Sequence, residues 1–431
     1  MNRLKLFAGL CLCLLVQIAE AGPKIEHWVA PSGARVYFVE THALPILDVQ
    51  IDFAAGTAYD PDGKAGVASL TGALLDLGAA GLDETQIANR MADLGARLTG
   101  GTDMDRASVG LRTLSAADKR VPALDILRAV LVSPLFPAEV FEREKARSVS
   151  ALKEALTRPE AIAGKAFWRA MYPGHPYGQP STPESVTAIA RDDLAAFYRT
   201  HYTAQRATLA IVGDLSRADA EALAQQLTAE LPTGAGAAPL PTPQLPAASE
   251  QRIAHPAAQA HLLIGLPAIK RGDPDFFPLL VGNYSLGGGG FVSRLMKEVR
   301  DKRGLAYSVY SYFHPLALPG PFQIGLQTKK AQADDALKVT REVLAEFLDK
   351  GPSEAELKAA KQNLVGSFPL RLDSNKKILE NVAAIGFYGL PLDYLDRYAE
   401  RIEKVGVADI KAAFSRHVKP ENLVTLIVAA E

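Results

Sequence analysis

The chain has 431 residues, of which 48% are hydrophobic and 22% are charged, and its formal net charge is −1 at pH 7. This balance is typical of a globular protein, and a chain of this length is expected to form at least two domains. No basic stretch or acidic tail indicates binding to nucleic acid or to a membrane surface.

The first 21 residues have the layout of a cleavable secretory signal peptide. Two basic residues precede an apolar run, residues 6–16, and Ala19 and Ala21 provide small side chains at the positions that determine cleavage. The apolar run is too short for a membrane span. Cleavage after Ala21 would remove Cys11 and Cys13, the only cysteines, and with them any disulfide or thiol ligand. We therefore expect a periplasmic or secreted protein.

The first domain is predicted to span residues 22–230, with a pair of strands near its start. Alternating apolar and β-branched residues indicate strands, and apolar residues every three or four positions indicate helices. The predicted strands are Ala34–Glu40, Leu47–Phe53 and Arg106–Leu111. The predicted helices are Val67–Leu77, Thr85–Leu94, Val121–Val132, Pro137–Leu156 and Asp192–His201.

A connector rich in proline, alanine and glycine follows at residues 231–249. Its prolines favour an extended, semi-rigid backbone. The sequences on its two sides end alike, because Phe197 and Thr208 correspond to Phe414 and Thr425 at a constant offset of 217. A constant offset without gaps indicates a duplicated domain.

The second domain, residues 250–431, repeats the order of the first. Its predicted strands are His261–Leu266, Tyr307–Phe313 and Gly320–Gln327. Its predicted helices are Phe276–Tyr284, Phe291–Asp301, Ala331–Leu348 and Glu354–Phe368. Strands at both ends of each domain, around blocks of helices, favour α+β domains in which helices cover one face of a sheet.

One stretch of the second domain brings two polar side chains together. Arg300 is predicted in the last turn of a helix, and Tyr307 on the strand that follows a tight connection. Both groups are good donors to a carbonyl or an oxyanion. Considered alone, Arg300 also fits a solvated basic face and Tyr307 a core position. A glycine run precedes the helix but lacks the pattern of a phosphate-binding loop, so a tight or flexible connection is expected. The run consists of Gly287, Gly288, Gly289 and Gly290.

The setting R-D-K-R-G-L-A-Y resembles the C-terminal half of the pitrilysin/insulinase family of zinc metallopeptidases, the inverzincins. In that family an arginine and a tyrosine seven residues later contact the substrate, which matches Arg300 and Tyr307. The resemblance covers nearly all of the mature chain, including a glycine-rich approach at residues 56–68 and a Pro-Gly-His-Pro-Tyr-Gly turn at residues 173–178. It implies two homologous domains, each a mostly antiparallel sheet with helices packed on one face, as in a metallohydrolase-like α/β roll.

The resemblance fails at the zinc site. The family carries H-x-x-E-H on a helix, where the two histidines and a distant glutamate bind zinc and the inner glutamate activates water. In this chain Ser69 and Ala73 stand at the histidine positions, Gly72 at the general base and Ala151 at the distant ligand. Glu154 is three residues out of register. None of the four matching side chains can bind Zn²⁺ at neutral pH, so we expect no metal in this chain.

The histidines do not suggest a replacement site. No two of the eight lie three or four residues apart on a predicted helix, and His175 lies in the turn shared with the family, where a structural role is expected.

Vacant zinc positions beside a retained Arg–Tyr pair resemble the non-catalytic subunit of two-chain members, such as the alpha-type chain of the mitochondrial processing peptidase. The resemblance implies a zinc-bearing sister chain with H-x-x-E-H, a peptide substrate, and zinc held only by the sister chain. Arg300 and Tyr307 would then bind substrate in the partner's active site. Two alternatives stay open: an inert scaffold or binding protein that kept the fold, and a self-sufficient peptidase with an unrecognised site.

Overall fold

A computed structural model describes residues 22–234 and 239–429, and it contains one large sheet in each half of the chain. The predicted signal peptide, residues 1–21, lies outside the described residues. No helix within the described ranges combines the length and the apolar character needed to cross a membrane. The predicted α+β fold class is confirmed.

The first sheet has six strands and is mostly antiparallel. They are β1 (Glu26–Val29), β2 (Arg35–Glu40), β3 (Ile46–Phe53), β6 (Arg97–Thr102), β7 (Ala107–Leu114) and β8 (Ala207–Gly213). Their order is β1-β2-β8-β3-β7-β6, and only β2 and β8 run parallel. The fully buried β8 lies near the centre, whereas β6 forms an edge. A separate hairpin pairs β4 (Gly78–Ala79) with β5 (Leu82–Asp83).

Eight α-helices belong to the described part of the first half. They are α1 (Val67–Leu74), α2 (Glu84–Asp93), α3 (Ala117–Val132), α4 (Ala138–Ala155), α5 (Pro159–Met171), α6 (Pro183–Thr187), α7 (Arg191–His201) and α8 (Arg217–Thr228). Local signals fix several of their ends. Asp83, for example, accepts a hydrogen bond from the Gln86 backbone N–H and forms a capping box at the start of α2.

The second sheet has five strands, again with one parallel pair. They are β9 (Ser249–Ala254), β10 (Gln259–Ile269), β11 (Ser308–Phe313), β12 (Gly320–Lys329) and β13 (Val424–Ala429). Their order is β11-β12-β10-β13-β9, so β11 forms an edge. The α-helices of this half are α9 (Phe276–Asn283), α10 (Ala333–Lys350), α11 (Glu354–Gly366), α12 (Asn375–Tyr388), α13 (Tyr398–Glu403) and α14 (Val407–His417).

The offset of 217 between the halves extends beyond the ends from which it was inferred. Helix α5 ends at Met171 and α12 ends at Tyr388, while β8 begins at Ala207 and β13 begins at Val424. The two halves therefore repeat a unit of three helices followed by a strand in the same register.

The repeated helices α5 and α12 are exchanged between the halves. Phe167 and Met171 of α5 pack with Leu426 and Val428 of the second sheet. In return, α12 packs against the first sheet through a second apolar cluster. Tyr388, at the end of α12, also donates a hydrogen bond of 2.9 Å to the buried Asp105 of the first half. Each sheet thus has its own helices on one face and a helix of the other half on the opposite face.

The predicted helix Phe291–Asp301 is wrong in its start and in its type. A 3₁₀ turn covers Gly290–Val292, and Ser293 is extended, so the helix cannot begin before Arg294. From Met296 to Asp301 it is a π-helix, whose wider hydrogen-bonding pattern the apolar spacing does not reveal. A positive φ of 61° at Gly290 redirects the chain before this segment.

Helix α9 continues as a second π-helix, Tyr284–Gly288, which includes the first two glycines of the run. A Cβ atom at Gly287 would lie 2.4 Å from Ser311 Oγ, so glycine allows this segment to pack directly against β11. The run is therefore a tight connection.

The extended connector is shorter than the predicted residues 231–249. Leu231 is buried in the core of the first half, and Ser249 already begins β9. His175 Nε2 donates a hydrogen bond of 2.8 Å to the carbonyl oxygen of Pro241, which fastens the connector to the first half.

Candidate functional site

Helix α1 carries three of the four predicted zinc-motif positions on one face, because Ser69, Gly72 and Ala73 are spaced by three and four residues. The helix begins where Asp60 accepts hydrogen bonds of 2.7 Å from the backbone N–H groups of Gly66 and Ala68. Burial raises the pKa of Asp60 to about 6. The approach segment therefore still positions the helix, although the motif on it has changed.

The three positions line a cavity of about 320 Å³ between α1 and the edge strand β6. Asp76 is the only titratable side chain in the lining, and the opposite wall includes Gly100 and Gly101. Ala151 lies exposed on α4 and does not line the cavity. The structure thus brings together three of the four predicted positions.

The shape of this cavity also argues against zinc. A Cβ atom at Gly72 would lie only 2.7 Å from Thr102 Oγ1, so even the first side-chain atom of a glutamate would collide. Serine, glycine and alanine supply no carboxylate or imidazole ligand. The residues present do not fit a zinc ion.

His175 has a structural role in the described fold. Its Nδ1 accepts a hydrogen bond of 3.1 Å from the Tyr177 backbone N–H, while Nε2 donates to Pro241. Both ring nitrogens are therefore in use, and burial lowers the pKa of the imidazole.

A single group of three potential ligands, Asp273, Asp275 and His417, comes close enough for a metal within the described ranges. Both nitrogens of His417 lie 2.9 Å from an oxygen atom, the Ala268 carbonyl oxygen and Asp275 Oδ2. The neighbouring Arg416 forms two hydrogen bonds to the same Asp275 carboxylate. These internal contacts occupy the ligand atoms and make the group a poor metal site.

Arg300 and Tyr307 meet on the surface of the second half. The guanidinium carbon of Arg300 lies 5.6 Å from the ring centroid of Tyr307 and 4.9 Å from that of Phe291. Tyr307 is 86% exposed and Phe291 is 68% exposed, so neither ring belongs to the core. Two cation–π contacts thus hold the guanidinium in place while the Tyr307 hydroxyl faces solvent.

The strand after Tyr307 extends this aromatic surface. Tyr307 itself precedes β11 by one residue. Tyr310 and Tyr312, on the outer face of this edge strand, stack with centroids 6.0 Å apart and planes 8° apart. Exposed aromatic residues beside an open strand are typical of a binding surface. We call this set the Arg–Tyr surface; it consists of Phe291, Arg300, Tyr307, Tyr310 and Tyr312.

Two residues at these sites were missed from the sequence. Phe291 lies nine residues before Arg300, and the extended backbone at Ser293, between the 3₁₀ turn and the π-helix, lets the two side chains meet. Asp76 lies seven residues after Ser69, in the turn that follows α1, so extending the 3.6-residue period two residues past the helix could have identified it.

Comparisons with known proteins identify the family to which the chain belongs. The model of insulinase, peptidase family M16, matches residues 35–183, and the model of the peptidase M16 inactive domain matches residues 188–364. The chain belongs to peptidase family M16.

Individual relatives cover almost the whole chain. A crystal structure of a peptidase M16 inactive domain from Pseudomonas fluorescens is 39% identical, covers 94% of this chain and 98% of its own, and superposes with a TM-score of 0.91. The non-peptidase homolog YmxG of Helicobacter pylori is 26% identical over 400 residues, 91% of each chain. A mitochondrial-processing peptidase subunit beta from Lentinula edodes is 25% identical over 382 residues, which cover 84% of this chain and 80% of that subunit.

Proposed function

We propose that this chain is the non-catalytic, substrate-binding subunit of a periplasmic zinc metallopeptidase that degrades peptides. One observation carries the proposal: Arg300 and Tyr307 form an exposed, preorganised donor pair, while the zinc-motif positions hold only serine, glycine and alanine. Arg300 and Tyr307 could assist zinc-dependent peptide cleavage only if another chain supplies the metal. The likeness to an inactive M16 domain and to a non-peptidase homolog supports the non-catalytic role. The predicted signal peptide supports a periplasmic location.

In the proposed complex, a sister chain with H-x-x-E-H binds zinc, and the metal supplies the activated water. Arg300 donates hydrogen bonds to a substrate carbonyl, and its planar guanidinium fixes the direction of the peptide. Tyr307 donates its hydroxyl to the oxyanion that develops on the scissile carbonyl. The two rings that hold Arg300 reduce the loss of side-chain freedom on binding.

Replacing Tyr307 with phenylalanine tests this role. Loss of one oxyanion donor typically costs about 3–4 kcal/mol, so Tyr307→Phe should lower the turnover of the complex by about 10²–10³-fold. Because the hydroxyl is exposed, assembly and zinc content should not change. Turnover is measured on an unfolded peptide with the complex purified through a tag on this chain.

Tyr310→Phe is the matched control, since it removes a hydroxyl from the exposed face of β11, three residues after Tyr307, and keeps the aromatic ring in place. We expect near-normal turnover for the control. Equal turnover in Tyr307→Phe and the unchanged complex would remove Tyr307 from the mechanism.

The second candidate is an inert scaffold or binding protein. The likeness to the non-peptidase homolog of Helicobacter pylori favours it, and the residues at the zinc-motif positions fit both candidates. A tagged chain that brings down no H-x-x-E-H protein and no peptidase activity would support this alternative.

A further inference from the structure

The cavity at the vacated zinc position has features that loss of the metal does not explain. Ser69, Gly72 and Ala73 lie on one face of α1 and Asp76 lies in the turn after it, while residues 98–102 of β6 form the opposite wall. Its volume of about 320 Å³ lies at the lower end of the range for ligand pockets. A motif that had merely decayed would be expected to fill with apolar side chains.

Asp76 gives the cavity a negative group without a counter-charge. Burial raises its pKa, and the other influence on it is its own backbone N–H, so no basic side chain in the described part of the chain offsets the burial. The hydroxyls of Ser69 and Thr102 belong to the same lining and add further acceptors. A carboxylate with nearby hydroxyls suits a compact cation with several donors.

A buried hydroxyl beside the cavity gives an independent indication. Tyr202 Oη is buried and lacks a hydrogen-bond partner in the described structure. Tyr202 Oη lies 3.7 Å from the point where a Cβ atom of Gly72 would sit, directly behind the cavity wall. Buried polar groups are normally satisfied, so an orphan hydroxyl indicates a missing polar partner.

A peptide that pairs with the edge strand β6 could bring such a polar partner to the cavity. It pairs with β7 on one side only, and Gly100 and Gly101 leave its backbone uncovered by side chains. An extended peptide can add to such an edge through main-chain hydrogen bonds, with alternate side chains directed to one face.

We propose that the vacated zinc position binds the side chain of a lysine in an extended peptide that pairs with β6, its ammonium received by Asp76. The inference rests on the proposed function in one respect, because it names the class of peptide that the subunit would hold. An ammonium carries three donors on a long flexible stem, which suits one carboxylate among hydroxyls better than the planar fork of arginine does.

The test uses the mature chain alone, without a partner and without cleavage. Three fluorescent twelve-residue peptides of otherwise identical sequence carry lysine, norleucine or arginine at the centre, and binding is followed by fluorescence anisotropy. The lysine peptide should bind about tenfold more tightly than the norleucine peptide, which is the ratio expected for one charge-assisted hydrogen bond. The arginine peptide should fall between them.

Asp76→Asn should reduce the lysine-to-norleucine ratio to about one, since the carboxylate is lost and the shape is kept. Asp62→Asn is the matched control, because Asp62 is exposed in the loop before α1, and it should keep the tenfold ratio. Unchanged thermal unfolding of both variants shows that the fold is intact. As a second route to the same answer, Ala73→Phe should fill the cavity and abolish the preference for lysine.

Equal affinities for lysine and norleucine peptides, a preference that persists in Asp76→Asn, or no detectable binding would overturn the inference. None of these results bears on Tyr307, whose role is tested by turnover in the complex. The two proposals can therefore fail separately.

Discussion

Thr102 limits the side chain that position 72 can carry, and a pair of substitutions can show this. Glycine in a helix interior is about 1 kcal/mol less favourable than alanine, so Gly72→Ala would ordinarily stabilise the protein. Here the added methyl group would lie 2.7 Å from Thr102 Oγ1. We expect Gly72→Ala to give no gain or a loss in the native sequence, and a gain of about 1 kcal/mol once Thr102→Ala has removed that oxygen.

Urea unfolding of the native chain, the two single variants and the double variant measures this coupling. Equal effects of Gly72→Ala in both backgrounds would mean that Thr102 does not restrict the site.

His201 predicts a specific loss of stability in acid. Its ring stacks on Phe197 at 4.2 Å and contacts Tyr59 at 5.3 Å, and burial lowers its pKa to about 4. In the unfolded chain the pKa returns to about 6.5, so the unfolded state binds a proton first. The stabilisation is therefore complete above pH ~6.5 and is lost as the pH falls towards 4, by about 3 kcal/mol in total.

The comparison of the native chain with His201→Phe isolates this effect, because other titrating groups, such as Asp60, are common to both. The difference between their free energies of unfolding should change by that amount between pH 7 and pH 4. Parallel stability curves would show that His201 is not the group responsible.

The exchanged helices show how closely elements approach across the two halves. A Cβ atom at Gly386 of α12 would lie 2.6 Å from the Tyr37 ring and 2.8 Å from Thr208 Cγ2, both on the first sheet. Gly386→Ala should therefore destabilise the protein by about 1–3 kcal/mol through overpacking.

Gly164 of α5 is the matched control for Gly386, because no atom lies within 4 Å of its Cβ position. Gly164→Ala should stabilise the protein by up to about 1 kcal/mol through helix propensity alone. Chemical denaturation measures both. Destabilisation of similar size by both substitutions would contradict the close approach of α12 to the first sheet.

The elements that the sequence predicted are those whose signal is local. Helix α4 was expected at Pro137–Leu156 and occurs at Ala138–Ala155, since its amphipathic pattern and flanking breakers are all nearby in the chain. The elements that were missed depend on distant contacts. Strand β6 contains two glycines and forms because β7 pairs with it, and α5 and α12 bury their apolar faces against the other half.

The candidate site was likewise predictable only where its residues are close together in the sequence. The positions of Ser69, Gly72 and Ala73 on one helical face, and the pairing of Arg300 with Tyr307, follow from spacing. The contact of Phe291 with Arg300 and the cavity beside α1 do not follow from spacing. The contact depends on the extended backbone at Ser293, and the cavity depends on a strand some thirty residues along the chain from α1.

At the level of the whole molecule, the duplication explains why the first half can differ at the zinc-motif positions while the second half carries the donor pair. The halves share a unit of three helices and a strand and exchange α5 with α12, so each half completes the sheet packing of the other. The first half therefore contributes to folding whatever residues stand at its zinc-motif positions. The second half continues to present the Arg–Tyr surface at the edge of its sheet.

The most direct test of the accessory-subunit account is the zinc content and peptide cleavage of the purified mature chain, measured alone and then with its zinc-bearing partner. We predict no bound zinc and no cleavage of an unfolded peptide by the chain alone, and both in the mixture. One equivalent of zinc together with cleavage by the isolated chain would contradict the account, and would require a ligand set elsewhere in this protein.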